Sequence, residues 1–154
     1  GMVERLVGAL EIWGGPPTAV IVEITETTLV NVRDTSVQVL RRLRDHGVRI
    51  AIADFGTGYA SIGYLRQFPA TELKIDQSLI AAMRSEPHTG KLVRAIINMA
   101  HHLDLATTAE GIEDAATLTE LAEMGCDYGQ GFHLGRPQPA AEFIAQYIAA
   151  RAAR

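Results

Sequence analysis

The eight residues IADFGTGY, Ile52–Tyr59, decide how the rest of the sequence is read. The apolar run RIAIA stops at one carboxylate, Asp54, and a loop punctuated by Gly56 and Gly58 follows. A run without polar alternation reads as a strand covered on both faces, as in parallel sheets. An acid at the end of such a strand lies where parallel α/β proteins meet their ligands. Its neighbour is Ala53, whose methyl group has no lone pair to offer.

On either side the pattern repeats as strand, helix, strand. TAVIVEIT, Thr18–Thr25, is β-branched and nearly continuous. The segment after it has helical spacing, with Val37, Leu40 and Leu43 on one stripe, Asp34 as N-cap and Gly47 just past the end. Val48–Asp54 is the next strand. Gly56–Pro69 reads as a loop with a short helix near Ile62–Gln67. Thr71–Asp76 and Leu105–Gly111 are strands around a helix over Gly90–Asp104. Glu113–Met124 is helical, Cys126–Gly131 is a last short strand, and Ala140–Arg154 closes as a helix. Helices between most of the apolar runs favour parallel βα units over hairpins.

The totals set bounds on function. The chain has 154 residues, 47% of them apolar, enough for one domain with a core. Residues 2–154 read as that single domain, with Gly1 as an added residue and Met2 as a candidate native start. A net charge of -4 without a long basic run argues against nucleic acid polymers and anionic membranes as partners. One cysteine, Cys126, excludes an intrachain disulfide and suits a cytoplasmic location. No signal peptide, Walker loop, dinucleotide fingerprint or Ser-His-Asp order is present. His133 reads equally as a rim residue or as a surface or satisfied core residue; His101 and His102 are adjacent on a helix and face apart.

Polar residues collect at corresponding strand ends: Glu23 and Glu26, then Asp54, then Lys74 and Asp76, then Glu110 and Glu113, then Gln130. Strand periodicity puts Lys74 and Asp76 on one face. Carboxylates gathered at one rim suit Mg²⁺ or Mn²⁺, while Lys74 meets phosphate or a metal-bound water. Each also has a structural reading. Glu23 and Lys74 suit ion pairs, Lys74 with Asp76 or Glu110. Asp54 suits a turn, Gln130 a backbone-satisfying amide, and Gly56 and Gly58 suit either a turn or a phosphate cradle.

Four ordered motifs carry a family resemblance. EITE at Glu23–Glu26, the run Ala53–Asp76, TAEGIE at Thr108–Glu113 and the run Gly125–Phe143 resemble the EAL domain. That resemblance implies a modified (β/α)₈ barrel and Mg²⁺- or Mn²⁺-dependent hydrolysis of cyclic di-GMP to pGpG. It implies metal ligation by Glu23 and Asp54, catalytic positions at Lys74 and Glu110, substrate contacts at Gln130, Asp76 and Glu113, and loop support by Glu26, Gly56 and Gly58. The loop after DFG resembles one coupling the site to a dimer interface. The partners implied are a second copy, cyclic di-GMP or another signalling protein.

The departures weigh as much as the matches. Ala53 stands where catalytic members carry the first aspartate of a pair. The Glu-Ala-Leu signature and the asparagine between it and Glu23 are absent. The chain resembles only the C-terminal portion of the domain, whose barrel takes about 250 residues. The expected fold is therefore α/β, a partial TIM-barrel-like βα repeat of about five mainly parallel strands. Its open edges call for rearrangement, dimerisation or cover by the segment before Trp13–Pro17. The expected function is a catalytically inactive EAL-like protein with a binding or regulatory role in cyclic di-GMP signalling. The alternative is a phosphodiesterase completed in trans or by missing N-terminal sequence.

Overall fold

The computed structural model describes residues 2–29, 34–58 and 62–152. Five strands form one parallel sheet in the order β1-β2-β3-β4-β5: β1 Ile21–Thr25, β2 Arg49–Phe55, β3 Glu72–Ile75, β4 Ala106–Ala109 and β5 Tyr128–Gly129. Every pairing is between strands successive in sequence, so each crossover is one βα unit. The helices are α1 Met2–Trp13, α2 Glu26–Leu29, α3 Asp34–Asp45, α4 Ile62–Gln67, α5 Gln77–Ala82, α6 Pro87–His102, α7 Ala115–Glu123 and α8 Ala140–Ala152. The expected α/β class, the parallel strands and the short helix over Ile62–Gln67 are all present.

The central strands are covered on both faces, as their apolar runs suggest, although the character of the side chains alternates. Ile50 and Ile52, Leu73 and Ile75, and Thr107 and Ala109 share the face under the helices; all six are essentially inaccessible to solvent. The opposite face carries Glu23, Arg49, Ala51, Ala53, Glu72, Lys74, Ala106 and Thr108 in register. The alanines disguise the alternation, because an alanine on a polar face scores as apolar in the sequence.

The helical side holds two packed clusters. Ile52, Leu73 and Ile75 meet Ile80 of α5, Val93, Ile97 and Ala100 of α6, and Leu121 of α7. Ile50 and Val48 meet Leu40 and Leu43 of α3 with Val3 and Leu10 of α1. Burying each such aliphatic side chain contributes about 1.5–3 kcal/mol. The segment before Trp13–Pro17 packs on α3, in a cluster that Val22 and Ile24 of the edge strand β1 border. Pro17–Ala19 forms a 3-10 turn, which delays β1 to Ile21. Gly47 takes φ +89 past the end of α3, as its place in the sequence suggests. Other boundaries differ as well: β4 spans only Ala106–Ala109, β5 only Tyr128–Gly129, α6 starts early at Pro87, and α7 starts at Ala115 under an Asp114 cap.

Candidate functional site

Lys74 stands at the centre of the polar face and is 7% exposed. Its Nζ lies 2.7 Å from Glu23 Oε1 and 2.5 Å from Glu110 Oε1. Burial disfavours the charged ammonium, but hydrogen bonds and charge attraction from Glu110 and Glu23 outweigh it and raise the Lys74 pKa above its ordinary value. Of the two sequence alternatives for its partner, Glu110 is the one found; Asp76 is not.

Asp76 lies just beyond the end of β3 and caps α5. Its Oδ1 accepts from Ser78 N at 2.8 Å and from Ser78 Oγ at 2.5 Å. The strand itself stops at Ile75, and the helix cap sets the direction of the Asp76 carboxylate.

Asp54 has φ +56, in the left-handed region, beside a register irregularity between β2 and β3. Its carbonyl accepts from Thr57 N at 3.4 Å and Thr57 Oγ1 at 2.9 Å, so the backbone turns here. Aspartate tolerates this conformation better than most side chains. The Asp54 carboxylate is thereby freed to line a cavity of about 300 Å³ together with Asp76, Gln77, Glu110, Glu113, Gln130 and Phe132. Gln130 enters through its backbone: its N–H donates to Ala109 O and its carbonyl accepts from Ile112 N. Glycine is required next door, since a Cβ on Gly131 would sit 2.1 Å from Ile112 O.

Glu26 opens α2 and is 3% exposed. Its Oε2 accepts from Gly56 N at 2.8 Å and Gly58 N at 3.1 Å. The two glycine amides therefore point at a protein carboxylate, and a phosphate cradle there would have to displace it. Tyr59–Ser61, further along the same loop, lie outside the described residues.

The site brings Glu23, Lys74 and Glu110 into one clasp, and Asp54, Asp76, Glu110, Glu113 and Gln130 around one cavity. His133 is exposed and its N–H bonds to Ile112 O. Gln77 and Phe132 escaped the sequence reading. So did a buried pair beneath Lys74: Glu72 Oε1 accepts from Thr108 Oγ1 at 2.6 Å, and Glu72 Oε2 lies 3.6 Å from Arg49 Nη1. Glu72 stands two residues before Lys74, and that spacing was the signal. A second missed network joins His101 Nε2 to Asp127 Oδ2 at 2.9 Å, with Thr107 N and Oγ1 also donating to that oxygen. Burial raises the Asp127 pKa, but these donors outweigh it and hold it below the ordinary carboxylate range.

The donor set can be tested against a divalent metal. Among the described residues, no three of the histidine, cysteine, aspartate and glutamate side chains converge to hold an ion. Glu23 and Glu110 already share the Lys74 ammonium, and Ala53, opposite Thr25 in register, supplies no oxygen. The described side chains do not assemble a complete two-metal centre.

Comparison with known proteins agrees with this geometry. The EAL domain family matches residues 1–137. The bifunctional diguanylate cyclase/cyclic di-GMP phosphodiesterase MucR of Pseudomonas aeruginosa is 40% identical over 145 residues, covering 94% of this chain and 21% of MucR. The structure of the MucR phosphodiesterase in complex with c-di-GMP superposes with a TM-score of 0.86 at 40% identity, over 93% of this chain and 58% of that one. The EAL domain of Mycobacterium smegmatis DcpA gives a TM-score of 0.89 at 37% identity, over 98% of this chain and 66% of that one. A manganese/cy-diGMP complex of Klebsiella pneumoniae BlrP1 gives 0.77 at 30% identity, over 84% of this chain and 33% of that one. The chain spans about a fifth of MucR and up to two-thirds of these solved chains.

Proposed function

The chain belongs to the EAL domain family, and on that premise we propose that it is a catalytically inactive EAL-like protein with a binding or regulatory role in cyclic di-GMP signalling. The observation that carries this reading is the clasp: an ammonium sits between Glu23 and Glu110, beside an alanine. Cyclic di-GMP is the proposed ligand, supported by the c-di-GMP bound to the similar MucR structure. A homodimer is the proposed assembly, since β1 and β5 each have one strand neighbour within the chain. No helix among the described residues is long and apolar enough to cross a membrane. Titration calorimetry with cyclic di-GMP, with and without Mg²⁺, tests the reading. Saturable heat without pGpG formation is expected; silence at millimolar ligand removes the nucleotide role, and pGpG formation removes the inactivity.

The cavity favours a second reading. Asp54, Glu110, Glu113 and Gln130 remain gathered at the carboxyl ends of the strands, where a phosphodiesterase completed in trans or by preceding sequence would need them. Mg²⁺ or Mn²⁺ belongs to that reading, with Glu23 and Asp54 as its ligands here. Restoring the acid by Ala53→Asp should then raise pGpG turnover strongly in the completed assembly. No rise would count against it, as would an upstream coding region without an in-frame Glu-Ala-Leu.

A further inference from the structure

At the opposite end of the sheet lies a groove of about 640 Å³, and it is not acidic. Arg44 enters it from the last turn of α3, Arg66 from the last turn of α4 and His102 from the last turn of α6. Half-buried Phe68 and Leu103 form an apolar part of the lining, and Asp104 is the single acid. Neither Arg44 nor Arg66 makes an ion pair or a side-chain hydrogen bond among the described residues. His102 Nδ1 lies 2.6 Å from Asn98 O, which fixes Nδ1 as the donor and turns Nε2 outward. A cation in a helix's last turn favours that helix, which accounts for each residue singly. It does not account for three converging on one cavity in a chain of net charge -4.

We propose that this groove binds a small phosphate monoester carrying a planar apolar body, with the phosphate between Arg44 and Arg66 and the body against Phe68 and Leu103. Guanidinium groups match phosphate oxygens bidentately, and the groove lies within the size range of ligand pockets. β3 and β4 run from this groove to Lys74 and Glu110, so an occupant would sit on the same strands as the clasp.

Phenyl phosphate is the probe, with inorganic phosphate and phenol as controls, titrated into the ¹⁵N-labelled chain and followed by NMR. The expected result is saturable shifts in the amides of residues 66–68, 70–71 and 102–105, with phenyl phosphate binding at least tenfold more tightly than either control. The Arg44→Gln/Arg66→Gln double variant, both sites being exposed, should keep its dispersed spectrum and bind at least tenfold more weakly. Equal affinity for inorganic phosphate overturns the apolar part of the proposal. Absent shifts at these amides, or affinity unchanged in the double variant, overturn it entirely. The readout is independent of cyclic di-GMP, whose failure to bind would leave this result standing.

Discussion

Replacing Lys74 by methionine removes the cation and leaves Glu23 and Glu110 facing each other with nothing between them. Deleting one partner of a buried ion pair costs about 3–5 kcal/mol. Here the Glu110 side chain is 20% exposed and that of Glu23 48%, so water screens part of the repulsion and about 2–3 kcal/mol is the better expectation. A domain of this length loses about 2–4 °C of Tm per kcal/mol, giving a fall of about 5–10 °C by differential scanning calorimetry. The same change opens a seat for another cation. If Mg²⁺ occupies it with a Kd of about 1 mM, 10 mM Mg²⁺ returns about 1.4 kcal/mol, or roughly half the loss. The wild type, whose seat is filled, should gain far less. A Lys74→Met protein as stable as the wild type would refute the ion-pair reasoning. A destabilised variant that Mg²⁺ does not rescue would refute the idea that Lys74 occupies a cation position.

Glu26→Ala should cost about 2–3 kcal/mol, because two amide donors lose a charged acceptor; hydrogen exchange at Gly56 and Gly58 should accelerate, and unchanged protection there would contradict it. The Lys74 pKa is raised in the fold, so its contribution is fully present below the unfolded value near 10.5 and disappears as pH climbs through the folded value. The Tm gap between wild type and Lys74→Met should therefore stay constant from pH 8 to 10 and close only above pH 10.5; closure near neutrality would be the wrong result. Asp54→Gly should leave stability within about 0.5 kcal/mol, whereas Asp54→Val should cost about 1–2 kcal/mol, since a β-branched residue resists positive φ; urea midpoints decide. Ile97→Ala, at a fully buried site in α6, should cost about 2–5 kcal/mol in the same assay.

The fold was readable where local chemistry and tertiary environment agree. The run Leu73–Ile75 between helical stretches, and Gly47 after α3, point the same way at both levels. Less was legible where a residue's neighbours are set by the fold. Ala51 and Ala53 are buried, as a doubly covered strand implies, but the run itself does not show that they share their face with Glu23, Glu72 and Lys74. Asp76 lines the cavity with the other rim acids, but its cap on α5, through donors two residues away, was not legible in the strand pattern. In the candidate site, the gathering of acids at one end followed from parallel strands alone. That Lys74 would be shared between residues 51 positions before it and 36 after it required the register of three strands. The Arg49–Glu72 pair was concealed similarly, since only the side-by-side placement of β2 and β3 brings it together.

The sheet order β1 to β5, without a single skipped neighbour, has a consequence during synthesis. A ribosome releases this chain one βα unit at a time, and each emerging strand finds its only required neighbour already out of the exit tunnel. No strand has to wait for a later one to be inserted between it and its partner. Within this stretch assembly can proceed vectorially from β1 to β5, and β5, just two residues long, completes Gln130's place at the cavity after the other four strands have emerged.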